Sequence, residues 1–149
     1  MTDLRSFAIN LAREAGQLIV HYRNIESVKR EFKDGLEMVT NADLEADQLI
    51  RKGIAETFPD HLLLSEESSP DLGKLETLDA PVWIVDPIDG TVNYAHGHNH
   101  SAVSIAYSED KQIRIGVVFN PFTNEMWVGE KGNGAFLNGE SIRVAEEKE

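Results

Sequence analysis

Two aspartates stand three positions apart at the end of an apolar stretch, in the sequence "WIVDPIDGTVNYAHG" at residues 83–97. They are Asp86 and Asp89, and a second acidic pair, Glu66 and Glu67, follows another short apolar run. If two neighbouring strands bring these acids together, the carboxylates repel one another unless cations neutralise them. Oxygen ligands alone suit Mg²⁺, Mn²⁺ or Ca²⁺. The four acids therefore predict a divalent metal site.

The residues between and after the aspartates suit a phosphate. Pro87 is expected to fix a turn, with the Ile88 side chain in the core and its carbonyl facing the acids. Gly90 permits close approach of the backbone to a ligand, and Thr91 is predicted to begin a short helix whose amides could hold a phosphate. The alternative is that Asp-Pro and Asp-Gly are ordinary turn pairs and that the acids only cap strands. The ordered set of both acidic strand ends favours the metal and phosphate site.

Two helices are predicted ahead of the strands. Apolar residues recur at three- and four-residue spacing over residues 3–22, and Thr2 can cap that helix. Residues 24–40 are mixed and charged, and a loop or loose hairpin is expected there. The second helix is predicted over residues 42–58, which places Asp43 in its first turn.

Short apolar runs predict the sheet. Residues 61–65 and 82–86 are expected to be buried strands, joined by a surface connection over residues 68–81. From Ser101 onward, short β-rich runs alternate with turn residues, which is typical of an antiparallel meander. The fold class is therefore α+β, with the helices packed on a mainly antiparallel sheet.

Composition excludes several classes of function. The chain has 149 residues, 41% of them hydrophobic and 27% charged, with a formal net charge of −12. So acidic a surface argues against binding nucleic acid. The absence of cysteine excludes disulfides and thiolate metal sites. With no membrane-length apolar run and no secretion signal, the expected location is the cytoplasm.

Residues 83–97 resemble the first signature of the inositol monophosphatase family. "VTNAD" (39–43) is similar to the start of that family's second helix, and "LLSEES" (63–68) to its Glu-Glu motif. The run from Gly116 to Val144 resembles the meander that follows in the family. Ser65 departs from the pattern, because glycine commonly precedes the acidic pair. The resemblance covers nearly the whole chain.

The resemblance implies a layered αβαβα fold and Mg²⁺-dependent hydrolysis of small phosphate monoesters, with Mn²⁺ as a substitute and lithium inhibition in many members. The metal ligands that it implies are Glu66, Asp86, Asp89 and the carbonyl of Ile88. Glu67 would assist through a water, or by contacting these ligands without binding the metal itself.

The same resemblance implies how phosphate and water are held. The phosphate would be met by three adjacent residues, Asp89, Gly90 and Thr91. Asp43 would bond to the Thr91 hydroxyl, and Thr91 would orient the attacking water together with Glu66. Lys33 would support the site from the loop between the helices.

Two extra histidines depart from the family pattern. In "HGHNHS", the His-Gly at positions 96 and 97 is followed by His98 and His100, where the family usually has an aromatic residue or leucine and a proline. With His96 they form an alternating set of three histidines. They can be interpreted as a transition-metal face. An exposed loop with no ligand role is the favoured interpretation.

The leading prediction of function is a Mg²⁺-dependent phosphatase acting on inositol monophosphate or a similar polyol phosphate, as a homodimer. A fructose-1,6-bisphosphatase or a 3'-phosphoadenosine nucleotide phosphatase of the same fold, or a non-catalytic metal-binding fragment, remain alternatives. Residues 1–149 are expected to form one domain, the N-terminal portion of such an enzyme, without its C-terminal α/β segment and further metal-binding aspartate. That portion alone is expected to bind metal weakly, self-associate and turn over slowly.

Overall fold

The computed structural model of the chain describes residues 3–26, 35–65 and 80–146. Three residues of the predicted site lie outside these ranges: Lys33, Glu66 and Glu67. Most of the predicted surface connection at 68–81 also lies outside them.

The elements follow one another in a simple order, two long helices, two strands, a short helix and five more strands. Their bounds are α1 (Leu4–Glu26), α2 (Gly35–Thr57), β1 (Leu62–Ser65), β2 (Val82–Asp89), α3 (Thr91–Ala95), β3 (Ala102–Glu109), β4 (Gln112–Asn120), β5 (Glu125–Glu130), β6 (Gly134–Leu137) and β7 (Glu140–Ile142). None of the helices in the described ranges is both long enough and apolar enough to cross a membrane.

The described strands form one seven-stranded sheet in which spatial order equals chain order. Strand β1 pairs with β2 in parallel, and every other neighbouring pair is antiparallel. The α+β fold with a mainly antiparallel sheet is thus confirmed, as is the meander. Strand β7, at the far edge of the sheet, was not expected.

The main core lies between one face of the sheet and the two long helices. Helix α1 packs on α2 and on β3 and β4, while α2 packs on β2. Val85 pairs with Ile105, which pairs with Val117, and all three are buried against the helices. The opposite face is less covered: Ser104 is only half-buried and Val118 keeps 38% of its surface exposed.

Both helices are longer than the sequence predicts. Helix α1 runs on to Glu26, and α2 begins at Gly35 rather than at residue 42. The prediction of a loop over residues 24–40 is wrong at both ends, because its charged residues obscured the good helix formers around Leu36 and Met38. As a result Asp43 lies more than two turns inside α2, not in its first turn.

The N-terminus of α1 is capped by Asp3, while the predicted cap, Thr2, lies outside the described residues. The Asp3 carboxylate accepts hydrogen bonds from the backbone amides of Arg5 and Ser6, both at 3.3 Å, and from the Ser6 hydroxyl at 2.6 Å. That hydroxyl is the main cause of a lowered pKa of the Asp3 side chain. An aspartate here satisfies helix amides that have no partner within the helix.

A stacked aromatic cluster closes the core near the start of β1 and β2. The rings of His61 and Phe58 are parallel, with centroids 4.6 Å apart, and the Trp83 indole N–H donates to His61 Nδ1 at 3.0 Å. Burial lowers the pKa of His61, while Glu109 and Asp60 oppose that shift. Nδ1 accepts from Trp83 only while it carries no proton, so the folded chain favours neutral His61.

The neutral state of His61 predicts a dependence of stability on pH. Because its pKa is lower in the folded state, stability is fully present above the unfolded pKa of about 6.5 and is lost as the pH falls below that value. Urea unfolding at pH 7.5 and 5.5 should show this loss in the parent and a smaller one in His61→Gln. His21→Gln, which changes an exposed histidine of α1, is the control. An equal loss in parent and His61→Gln would contradict the prediction.

Candidate metal and phosphate site

The first two strands are neighbours in the sheet, which is the condition on which the predicted metal site depends. In the parallel pairing of β1 with β2, Leu64 lies opposite Ile84 and Ser65 opposite Val85. Ser65, the last described residue of β1, therefore lies beside Val85, the residue that precedes Asp86. The pairing of these two strands is thus observed up to Ser65, while the acids Glu66 and Glu67 lie outside the described residues.

Strand β2 continues through the proline by means of a bulge. Asp86 pairs with Ser104 of β3 and Asp89 with Ala102, so three steps along β2 match two steps along β3. The prediction of a turn at Pro87 is wrong. The bulge places one unpaired residue in β2, so the proline, which has no amide to donate, lies within the strand without costing a ladder hydrogen bond. Since Ser104 and Ala102 share one face of β3, the bulge puts Asp86 and Asp89 on the same face of the sheet.

The bulge also separates the acids from the core. Ile88 is 1% exposed and belongs to the core, which confirms the predicted direction of its side chain. Asp86 is half-buried and Asp89 is exposed. One carboxylate is thus partly withdrawn from water and the other is open to a ligand.

Gly90 links the bulge to α3 in a backbone conformation that favours glycine. Its φ is 85° and its ψ is 46°, and it is the N-cap of the helix that begins at Thr91. A Cβ atom at Gly90 would lie 2.7 Å from the carbonyl oxygen of His100. The Ser101 hydroxyl donates to the Gly90 carbonyl at 3.3 Å. The predicted helix start at Thr91 is confirmed. The backbone at His100 and Ser101 packs closely against Gly90.

Helix α1 holds α3 and the chain that follows it. Tyr94, fully buried, donates its hydroxyl hydrogen to the Ile19 carbonyl at 2.8 Å. Arg23 donates to the carbonyl of His98 at 3.1 Å, to Asn99 Oδ1 at 3.0 Å and to the Gly97 carbonyl. Sequence reasoning missed Arg23, because a basic residue in the last turn of a helix is usually only a partner of the helix dipole.

Two buried aspartates lie one turn apart on α2. Asp43 is 4% exposed and Asp47 is 7% exposed. Asp47 Oδ1 accepts a hydrogen bond from the Ser65 hydroxyl at 2.5 Å, at the end of β1. Sequence reasoning singled out Asp43 and missed Asp47, although a spacing of four residues on a helix signals a shared face.

The described residues supply only part of a metal site. Within residues 3–26, 35–65 and 80–146, no three histidine, aspartate or glutamate side chains lie close enough together to hold a metal ion. The three alternating histidines are all exposed, as the favoured interpretation expects, and His96 Nδ1 lies 2.8 Å from the Val92 carbonyl oxygen. The donors on β2 are oxygens only, which fits Mg²⁺ or Mn²⁺ better than a transition metal that prefers nitrogen or sulfur.

The chain is similar to several known proteins. A protein of Thermotoga maritima named fructose-1,6-bisphosphatase/inositol-1-monophosphatase is 41% identical over 147 residues, covering 97% of this chain and 54% of that relative. Inositol monophosphatase 2 of Solanum lycopersicum is 39% identical over 150 residues, covering 100% of this chain and 56% of the relative. The chain spans about half the length of these relatives.

Solved structures agree with the sequence relatives. The crystal structure of inositol monophosphatase II from Staphylococcus aureus matches with a TM-score of 0.83 at 29% identity, covering 97% of this chain and 52% of that one. This likeness confirms the predicted phosphatase-type fold. The sequence profile of the inositol monophosphatase family matches residues 1–149. The chain belongs to the inositol monophosphatase family.

Proposed function

We propose that the protein containing this chain is a Mg²⁺-dependent phosphatase of small phosphate monoesters, with inositol monophosphate as the first candidate substrate. The observation that carries the proposal is the bulge in β2, which sets Asp86 and Asp89 on one face of the sheet immediately before Gly90 and α3. The relatives named as inositol monophosphatases support the choice of substrate.

In this proposal the metal ligands are Glu66, Asp86, Asp89 and the carbonyl of Ile88. The two aspartates and the carbonyl fit a hard cation, because each offers oxygen and the cation removes their mutual repulsion. A bound Mg²⁺, or Mn²⁺ in its place, supplies a more acidic water and neutralises phosphate charge. Glu67 would contact these ligands without binding the metal itself.

The phosphate is proposed to sit at the start of α3. Amides of the first helical turn have no partner within the helix and suit an anion. The backbone amides of Gly90 and Thr91 would donate hydrogen bonds to the phosphate. Asp89 would interact with the phosphate through the metal ion that both of them bind. The absence of a side chain at Gly90 keeps the backbone accessible to the ligand.

The attacking water is proposed to be oriented by Thr91 and Glu66, with Asp43 accepting the Thr91 hydroxyl hydrogen. Asp43 is buried on α2, and α2 packs against α3. An aspartate that accepts from Thr91 would fix the hydroxyl so that its oxygen faces the water. Lys33 is proposed to add positive charge near the phosphate.

A second substrate class has specific support. The Thermotoga maritima relative carries both activities in its name, fructose-1,6-bisphosphatase and inositol-1-monophosphatase. Fructose 1,6-bisphosphate also offers a phosphate monoester on a small polyhydroxylated carbon skeleton. It is therefore the alternative substrate to compare directly.

Phosphate release by purified protein that contains these 149 residues tests the proposal. Inositol monophosphate and fructose 1,6-bisphosphate should each be assayed with Mg²⁺, with Mn²⁺ and with a chelator. We expect release that requires the metal and is faster with one of the two substrates. The proposal fails if neither substrate is hydrolysed, or if chelation leaves the rate unchanged.

Three further properties are proposed from membership of the family: a homodimer, inhibition by lithium and a cytoplasmic location. Sedimentation velocity checks the dimer, and phosphate release in the presence of Li⁺ checks the inhibition. A fluorescent fusion imaged in the source cells checks the location.

Thr91→Ala should lower turnover by about 100-fold or more, because positioned proton transfer contributes at least that much. Metal binding should survive, since the Thr91 side chain is not among the proposed ligands. The rate of phosphate release and the metal-induced rise in melting temperature are the two measurements. Thr123→Ala, at an exposed position in the turn after β4, is the matched control. Turnover of Thr91→Ala equal to that of the control would refute the assigned role.

A further inference from the structure

One arginine in the last turn of α1 holds the chain between α3 and β3. Arg23 is 9% exposed and donates hydrogen bonds to the carbonyls of Gly97 and His98, the second at 3.1 Å. It also donates to Asn99 Oδ1 at 3.0 Å. These acceptors lie in residues 97–101, here called the return segment. A buried guanidinium without partners costs free energy, so the burial of Arg23 depends on the return segment lying where it does.

A second set of contacts fixes the same segment from the sheet. Asn120, at the end of β4 and 9% exposed, donates to the Asn99 carbonyl at 2.7 Å. The ring of Phe122, in the turn that follows, lies against the Arg23 guanidinium, with 4.0 Å between Cζ and the ring centroid. A guanidinium that stacks on an aromatic face is attracted to it. Arg23 is thus held between the return segment and the turn after β4.

The far end of the return segment packs against Gly90. The His100 carbonyl oxygen accepts from Asn93 Nδ2 at 3.0 Å and would lie 2.7 Å from a Cβ at Gly90. The Gly90 carbonyl accepts from the Ser101 hydroxyl at 3.3 Å and from the Tyr94 amide at 3.0 Å. Because the two backbones are in such close contact, a shift of the return segment changes where Gly90 and the start of α3 can lie.

The return segment has no proline to restrain it. The family usually has a proline in this run, whereas this chain has none between residues 91 and 120. A proline ring fixes φ and lowers the conformational freedom of the chain. In this chain the restraint comes instead from hydrogen bonds of two nearly buried side chains, Arg23 and Asn120.

We propose that Arg23 is a positioning residue for the phosphate: it holds the return segment, which places His100 against Gly90 and so fixes the start of α3. The inference rests on the proposed function, because that function places the phosphate at the amides of Gly90 and Thr91. Arg23 acts through the backbone of the return segment and not as a ligand of the phosphate.

Phosphate release from inositol monophosphate in Mg²⁺, with and without added inorganic phosphate, tests Arg23 in purified protein that contains these 149 residues. Arg23→Met keeps an apolar stem and removes every donor. We expect turnover about 10- to 100-fold lower, since a displacement of about 1 Å at a reacting centre can cost about 100-fold. Half-inhibition should also need more inorganic phosphate. Arg23→Lys, which keeps the charge and some donors but not the planar fork, should lose less than Arg23→Met.

Arg5→Met is the matched control for the loss of an arginine from α1. Arg5 donates to Glu130 at 3.3 Å, and its Cζ lies 4.6 Å from the centroid of the Phe136 ring. The same substitution therefore removes similar contacts at the other end of the helix. It should lower the free energy of unfolding and leave turnover and inhibition by phosphate unchanged.

Asn99→Ala provides a milder change if Arg23→Met does not fold. It removes the side-chain acceptor and leaves Arg23 with its carbonyl partners in the return segment. Inhibition by inorganic phosphate should weaken in the same direction as in Arg23→Met, by a smaller factor. Hydrogen exchange at the Tyr94 amide, which bonds to the Gly90 carbonyl, should become faster.

The outcomes distinguish this inference from the proposed function. A parent that releases phosphate, with folded Arg23→Lys and Asn99→Ala variants that match Arg5→Met in turnover and in phosphate inhibition, would overturn the positioning role alone. Lower turnover with unchanged phosphate inhibition in the Arg23 variants would overturn it as well. A parent that hydrolyses neither proposed substrate would overturn the proposed function and the positioning role with it. Lower turnover and weaker phosphate inhibition in the Arg23 variants, with both normal in Arg5→Met, would support the role.

Discussion

Asp86→Asn should lower phosphate release by more than about 100-fold and remove the stabilisation that Mg²⁺ confers. The exchange keeps the size of the side chain and removes its negative charge, at a half-buried position beside the end of β1. Removing a residue that hydrogen-bonds to a metal ligand already lowers metal affinity or activity by about 10- to 100-fold. Removing a proposed ligand itself should therefore lower activity further. The rate of phosphate release at saturating Mg²⁺ measures this effect.

Thermal unfolding provides a second readout that does not depend on turnover. A cation that binds only the folded chain stabilises it by mass action, by about 2.7 kcal/mol at 100 times its dissociation constant. The parent should therefore melt at a higher temperature in Mg²⁺ and at a lower one with chelator, and Asp86→Asn should respond to neither. Asp89→Asn should weaken metal binding sharply for the same reason.

Asp110→Asn is the matched control for charge. Asp110 is an exposed acid in the turn between β3 and β4, and it lies 3.5 Å from an Arg114 nitrogen. Its φ of 51° is one that asparagine adopts readily. The control removes the same charge far from the site and should keep the full response to Mg²⁺. An Asp86→Asn variant that still melts later in Mg²⁺, by as much as the control, would remove Asp86 from the metal site.

The parts of the site that the sequence predicted are those that depend on local spacing. Apolar runs predicted β1 and β2, which the structure pairs in parallel up to Ser65 and Val85. Gly90 followed by Thr91 predicted the start of α3, because glycine suits the left-handed conformation that the chain adopts there. Each of these inferences needed only a few adjacent residues.

The parts that the sequence missed depend on pairings between distant residues. The bulge in β2 arises from its register with β3, which the residues of β2 alone do not determine. Asp47 accepts a hydrogen bond from Ser65, eighteen positions away in the chain, and Arg23 donates to the carbonyls near residue 98. The sequence places the start of α2 too late, because the helix formers Leu36 and Met38 directly follow a charged stretch that is expected to be a loop.

Gly90→Ala should destabilise the fold by about 2–5 kcal/mol and abolish binding of the substrate phosphate. A left-handed backbone costs a residue with a Cβ about 1–2 kcal/mol. The new methyl group would also lie 2.7 Å from the His100 carbonyl oxygen, and strain of that kind costs about 1–3 kcal/mol. Because both atoms at this contact are close to the backbone, relief requires moving the start of α3, where the phosphate is proposed to bind. Urea unfolding measures the first effect, and inhibition of phosphate release by inorganic phosphate measures the second.

Gly132→Ala isolates the contribution of the close contact. Gly132 has the same φ of 85°, but a Cβ there would meet no atom within 4 Å. It lies in the turn between β5 and β6, so the variant should show only the conformational cost and keep normal inhibition by phosphate. The difference between the two variants is then the free energy of the contact between residue 90 and His100. Equal destabilisation in both, with phosphate inhibition intact in Gly90→Ala, would mean that α3 tolerates a side chain at its cap and that close backbone approach at Gly90 is not needed for the phosphate.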